Sequence, residues 1–379
     1  VDQQTAPQPP LSSQPPSFTS VLMSLPFSCF LLLSFSFLLL TPSCCYKVSF
    51  ERLNSLEPAI TSQENQNSDF YYNYNPSFLP LADGGQALLV RCQNLEDDND
   101  IYATEPSVIT AVNRKEPYSD MYEFEQITND SVIIYPNGDE NDFGTEDPRV
   151  VYYEYDDTYY LLYSAVQSEP TVVSRLALAI AVRPRNGDIP FDWKRLGPIF
   201  GRNSTWSKSG AMLLQPPGKK QFLFWGDYNI SIATADEPAG PWHKTGENLI
   251  TPRSDHFDSA LVESGPMPLP LSDGNFLFIY NSARDGYPSA KPGYSLQYNP
   301  GWVVLDGSLP TQIVERCDEP LATPQLIWET GTAPSLRLTP NVLFIEGWHP
   351  ENKKNDSFIV YYGGADSVVG VGRVTVEIE

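Results

Sequence analysis

The chain has 379 residues, with 24 Lys and Arg against 47 Asp and Glu and a formal charge of −23. That balance excludes a protein that grips nucleic acid or an anionic membrane face through a broad basic surface. Hydrophobic residues at 41% and aromatic residues at 12% supply a buried core, and 35 prolines interrupt the chain too often for a mainly helical fold.

Residues 1–22, rich in Gln, Pro and Ser, read as a disordered or spurious extension. Residues 23–45 hold an uncharged apolar run that ends in the small residues Ser43, Cys44 and Cys45. The run reads as a cleaved secretory signal, with a membrane anchor as the alternative because its length suffices to span a bilayer. The expected location is therefore secreted or in the lumen of the secretory pathway, with no membrane contact for the mature domain. N-glycosylation acceptors at Asn129, Asn203, Asn229 and Asn355 suit that location. Residues 46–70 read as a linker. Beyond the apolar segment only Cys92 and Cys317 remain, too few for a disulfide scaffold or a zinc cluster; they either pair with each other or stay buried thiols.

From residue 71 onward short β-rich runs alternate with turn clusters. Strands are predicted at 87–91, 150–155, 159–165, 176–182, 222–226, 230–234, 276–280, 302–305, 342–347, 358–362 and 369–376. Turns such as Asp83-Gly84-Gly85, Asn137-Gly138, Pro217-Gly218 and Asp273-Gly274, and a last one at 352–356, separate them. One aromatic-rich strand recurs as LLVR, YYLLYSA, FLFWGD, FLFIYNS and FIVYYGG. An all-β chain built from five radial four-stranded sheets, a five-bladed β-propeller over 71–379, accounts for the recurrence and protects the sheet edges. A β-sandwich is the alternative, and it does not require a repeat.

The chain has three His, no HExxH, no Cys pair at metal spacing and no GxSxG, so neither zinc hydrolysis nor a serine elbow has support, and no metal or cofactor is expected. Carboxylates, aromatics and isolated bases in turn segments remain, which is the inventory of a sugar site. They are densest at Gly144-Thr145-Glu146-Asp147-Pro148-Arg149. Pro148 biases Asp147 toward an extended conformation at a strand mouth, although an Asp-Pro pair also suits an ordinary turn. On an extended strand Arg149 shares the face of Asp147 and lowers its pKa, whereas a general acid needs a raised one. Trp206, Trp225, Tyr228, Tyr280 and Trp348 are aromatics that either stack on sugar faces or fill blade cores.

Several segments stand in the order seen in glycoside hydrolase family 130: Asn75-Pro76-Ser77 followed by Arg91, then GTEDPR, SKSGAMLLQP at 207–216, LDGSLPTQIVERCDEPLATP, PNVLFIEGW at 340–348 and YYGGAD at 361–366. From about residue 75 to the end the chain resembles that family. The resemblance implies a five-bladed propeller that acts on β-mannosides with inversion, as a phosphorylase or as a β-mannosidase. It implies Asp147 as the general acid, which works by relay through a sugar hydroxyl in the phosphorylases. It places Asn75, Arg91, Lys208 and Asp366 around the sugar or the adjoining anion pocket, with Glu146 and Arg149 beside the acid as further substrate contacts. The plain alternatives are a solvated loop lysine at Lys208 and a turn cap at Asp366.

A phosphate nucleophile requires about two or three basic groups converging on one pocket. In the family's phosphorylases one is a lysine ahead of a Gly-rich segment in the fourth blade; here Leu261 stands at that position and Glu263 replaces the usual glycine. A lost base and an added acid point to water as nucleophile and Glu263 as general base, with Asp255 and Asp258 behind it. Glu263 is otherwise a cap for the blade turn. The expectation is an inverting glycosidase for β-linked mannose with an oligosaccharide or glycan substrate and no nucleic-acid partner. The alternatives are a phosphorylase, for which inorganic phosphate is the co-substrate, and a catalytically silent glycan-binding propeller.

Overall fold

The computed structural model describes residues 46–61, 68–97, 100–137, 143–168, 171–333, 338–351 and 356–379. The apolar segment at 23–45, the Asn355 acceptor and most of the turn at 352–356 lie outside the described residues.

Five antiparallel blade sheets, four of four strands and one of five, follow one another along the described residues. Blade I holds Tyr72–Pro80, Gln86–Gln93, Val108–Asn113 and Val132–Ile134. Blade II holds Gly144–Tyr153, Thr158–Gln167, Val173–Val182 and Lys194–Pro198, and blade III holds Gly210–Leu213, Gln221–Trp225, Ile230–Ala235 and His243–Ile250. In blade IV the strands are Leu261–Ser264, Phe276–Arg284, Gln297–Leu305 and Ile313–Arg316, with the short Leu269–Pro270 beside the second. Blade V takes Leu343–Pro350, Ser357–Gly364 and Val368–Ile378 from the end of the chain and Tyr46–Arg52 from its beginning. This is the five-bladed propeller, and the five aromatic-rich repeats are the second strands of its five blades.

Those second strands read as continuous apolar runs because both faces are covered. In Thr158–Gln167 every residue but the last is buried, and in Ser357–Gly364 every residue is. Their rings fill the space between neighbouring blades, as where Phe224 of blade III meets Phe278 of blade IV with centroids 5.2 Å apart. Burying large rings on both faces stabilises each sheet by about 2 kcal/mol per ring and fixes its register.

The first stretch of the segment expected as a linker is a strand. Tyr46–Arg52 pairs antiparallel with Val368–Ile378, from Tyr46 opposite Ile378 to Arg52 opposite Gly372, and so covers the outer edge of blade V. Arg52 then donates to both carboxylate oxygens of buried Glu329 at 2.7 and 2.8 Å, which ties this strand to the body. Cys92 and Cys317 are free, buried thiols.

Candidate active site

The first strand of each blade faces the propeller axis, and in blades I and II it carries the same device. Tyr74 pairs with Arg91 and Ser77 with Leu89, so Asn75-Pro76 adds one residue to the inner strand. Glu146 pairs with Ser164 and Arg149 with Leu162, so Asp147-Pro148 adds one residue in the same way. These are β-bulges, and proline fits the position where a ladder hydrogen bond is missing. Asn75 and Asp147 take φ of 49° and 52°, the left-handed region that Asn and Asp tolerate better than other side chains. Asp147 is therefore not the extended residue that Pro148 predicts: the bulge overrides the local preference.

That bulge breaks the alternation along the strand and separates Asp147 from Arg149. Asp147 points into a cavity of about 230 Å³, together with Asn75, Arg91, Lys208, Glu263 and Asp366. Six residues singled out in the sequence thus meet in one place from four blades and the Gly364–Val368 turn. Arg149 points the other way, into a second cavity of about 220 Å³ lined by Phe78, Met212, Met267 and Trp348. The expectation of a shared face fails, and Arg149 does not line the cavity that holds Asp147. Glu146 is not among its lining residues either; it lies behind, where its carboxylate holds Arg91 at 2.7 Å and Lys208 at 3.2 Å.

Asp147 is 2% exposed and heavily partnered. Asn75 Nδ2 donates to Oδ1 at 2.9 Å, Arg91 Nη1 donates to the same oxygen at 2.9 Å, and Lys208 Nζ lies 3.3 Å from Oδ2. Burial alone raises this carboxyl, but Lys208, Arg91 and Arg149 with the Asn75 hydrogen bond outweigh it and hold it far below the usual carboxylate range. Gly363 leaves the room Asn75 needs, since a Cβ there would lie 2.4 Å from Asn75 Oδ1. Lys208 is also committed rather than solvated: burial works against its charge, and Asp147 and Glu146 more than restore it.

Glu263 sits in the regular first strand of blade IV, where it pairs with Asn281. It is buried, and among the described residues its hydrogen-bond partner is Ser209, whose Oγ donates to Oε2 at 2.6 Å. Burial pushes its pKa up to about 7, against the opposing pull of Lys208 and Ser209, and the charge of Asp147 adds to the rise. Asp366 is raised too, by burial first, although Thr339 donates to it. Two groups named as reserve bases stand elsewhere. Asp258 is fully buried between Arg253, 3.0 Å away, and Arg316, 2.6 Å away, and accepts from Tyr280, while Asp255 lies in an exposed turn with φ of 63°.

The walls that sequence reasoning missed are Tyr294, Tyr298, Thr339, Val342 and Phe344. Tyr294 lies in the connection between the second and third strands of blade IV and Tyr298 near the start of the third, Thr339 and Val342 lead into blade V, and Phe344 is in its first strand; the tyrosines four apart in YSLQY were the available signal. Among the described residues, the hydroxyl of Tyr294 and Oδ1 of Asn75 are buried at this cavity without a hydrogen-bond partner. None of the five aromatics read as either sugar-stacking or blade core is among the lining residues. Trp206 and Tyr228 are exposed, Trp225 packs under Lys244, Tyr280 belongs to the blade core and Trp348 lines the second cavity.

The family model for glycoside hydrolase family 130, described as β-1,4-mannooligosaccharide phosphorylase, matches residues 104–378. A 1,2-β-oligomannan phosphorylase of Thermoanaerobacter is 30% identical over 229 residues, 60% of this chain and 67% of that protein. A β-1,2-mannobiose phosphorylase of the same source is 26% identical over 62% of this chain and 68% of that protein. Among solved structures, a putative glycoside hydrolase from Parabacteroides distasonis superposes with a TM-score of 0.67 at 25% identity, covering 87% of this chain and 97% of that one. A structure described under glycoside hydrolases of the family that target β-1,2 mannosidic linkages in Candida mannan shares the fold, with a TM-score of 0.68 at 24% identity over 86% of this chain and 93% of that one. Both curated relatives are phosphorylases, which weighs for the phosphorolytic alternative over the hydrolytic expectation.

Proposed function

The chain belongs to glycoside hydrolase family 130, and from that premise we propose that its cavity cleaves β-linked mannosides with inversion, Asp147 acting at the leaving oxygen and Glu263 at the nucleophile. The site chemistry favours water as that nucleophile. The observation that carries this is the charge balance: Arg91 and Lys208, the two cations lining the cavity among the described residues, are already paired with Glu146 and Asp147, and Glu263 adds another carboxyl. A phosphate would have to displace those carboxylates and lie beside Glu263. A buried carboxyl with a pKa near 7 is instead suited to take a proton from water near neutral pH.

Phosphorolysis is the second reading, and the activities of the two curated relatives favour it. One experiment divides the two. The protein is incubated with β-1,2-mannobiose and with β-1,4-mannobiose, with and without inorganic phosphate. Hydrolysis predicts free mannose at a rate indifferent to phosphate. Strict phosphate dependence with mannose 1-phosphate as product replaces it by phosphorolysis, and no cleavage of any β-mannoside sinks both.

A further inference from the structure

Arg149 enters the axis of the propeller but not the cavity of Asp147, and its guanidinium makes four contacts on three blades. Nη1 donates to the backbone carbonyl of Asp147 at 3.2 Å, in blade II. Nε donates to the carbonyl of Gly265 at 2.9 Å and Nη2 to that of Ser264 at 2.8 Å, in and just after the first strand of blade IV. Nη2 also lies 2.7 Å from Oε1 of Glu346, in the first strand of blade V. Arg149 and Glu346 are 3% and 1% exposed, and the Glu346 carboxylate makes no other bond among the described residues.

We propose that Arg149, held by Glu346, is a positioning residue that sets the distance between Asp147 and Glu263. This rests on the assignment of those two carboxylates as the reacting pair. The carbonyl of Asp147 belongs to the one carboxylate residue, and Ser264 follows the other directly in its strand. Both are fixed to the same planar group, whose donors stand in a rigid fork. A span across the axis that would otherwise depend on how two blades pack is thereby reduced to the dimensions of one guanidinium. Glu346 supplies the countercharge at Nη2, the nitrogen that also donates to Ser264, and a buried arginine without it would carry an uncompensated charge. A lysine could keep the charge but not reach both blades in fixed geometry. A displacement of about 1 Å at a reacting pair costs about 100-fold in rate.

Two variants test this, because the single loss of Arg149 would strand Glu346. Arg149→Lys keeps the charge, and the double variant Arg149→Met with Glu346→Gln removes both charges together. Each is expected to fold, to lose about 100-fold in kcat toward the cleaved mannobiose and to keep KM within about twofold, because the sugar-binding groups are untouched. Crystal structures of the variants should show the separation of the Asp147 and Glu263 carboxyl carbons changed by more than about 0.5 Å, the tolerance of a productive site. Wild-type kcat in either variant, an unchanged separation, or failure of Arg149→Lys to fold overturns the positioning role. The separation can be read whether or not the wild type cleaves any mannoside, so failure of the activity assignment and failure of the clamp are told apart.

Discussion

The mouths of blades II and IV each present one carboxyl to the same cavity, and the two are held in opposite ways. Asp147 stands on a bulge, with left-handed backbone, two cations and an amide against its oxygens. Glu263 stands in a regular ladder with one hydroxyl against it. Both are buried, so burial alone does not decide their charge. Partners do: Lys208, Arg91, Arg149 and the Asn75 hydrogen bond overcome burial at Asp147, whereas at Glu263 burial, helped by the charge of Asp147, outweighs Lys208, Ser209 and Arg149 and raises it to about 7. A pair whose pKa values are driven apart is the electrostatic pattern of divided acid and base roles. It also sets a condition. With Asp147 held ionised at neutral pH by its own partners, acting as the acid requires that it take up a proton when the sugar binds.

The sharpest way to break this contrast is Asp147→Asn. The amide can still accept from Asn75 and Arg91 but cannot deliver a proton, so kcat should fall by about a thousandfold with the fold unchanged. Calorimetry in buffers of different ionisation enthalpy should count about one proton taken up per sugar bound by the wild type and none by the variant. No uptake by the wild type would remove Asp147 from the acid role, whatever the kinetics.

Glu263→Gln should sharpen the same contrast through stability. The carboxyl has an ordinary value of 4.5 in the unfolded chain and about 7 in the folded one. Between those values the folded state binds the extra proton, so wild-type stability falls as pH rises from about 4.5 to 7 and stays reduced above. The full penalty is about 3 kcal/mol, and the neutral amide escapes it. The variant should therefore melt several degrees above the wild type at pH 8 and together with it at pH 4, while losing activity, a trade of stability for function. Equal melting at pH 8 would show that Glu263 carries no burial penalty.

Much of this arrangement was legible before the structure, and the parts that were not share a cause. The second strands of the blades declared themselves because they are apolar on both faces. The inner strands of blades II and V were read in part, at 150–155 and 342–347, but three others were not: Asn75-Pro76 interrupts Tyr72–Pro80, and Gly210–Leu213 and Leu261–Ser264 are only four residues long, the latter with Glu263 inside it. Asn75, Arg91, Asp147, Lys208, Glu263 and Asp366 were found through segment order. Arg149 was misplaced because a period of two was assumed across Asp147-Pro148, and one inserted residue reverses the face of everything after it. Tyr294 and Tyr298 were missed because the cavity brings a connection residue and a third-strand residue of blade IV together with inner-strand residues from other blades, a meeting no local pattern encodes.

The smallest expected effect isolates a single hydrogen bond. Ser209 Oγ donates to Glu263 at 2.6 Å and so favours the charged carboxylate. Ser209 itself holds φ of 49°, a strained conformation that alanine shares, so Ser209→Ala removes the hydroxyl with the backbone demand unchanged. If Glu263 is the base, kcat of the saturated wild type, in whose sugar complex Asp147 already carries its proton, falls about tenfold per unit as the pH drops below about 7, because the ionised form of Glu263 disappears. Losing the hydroxyl removes a stabilising contact to that form, which raises the pKa and moves the limb to higher pH by up to about one unit. At pH 9 and above, where both proteins are ionised, the rates should agree within about twofold. A limb that moves to lower pH, or that falls on the alkaline side instead, would mean that Glu263 works protonated, and the acid and base roles of the two blade mouths would have to be exchanged.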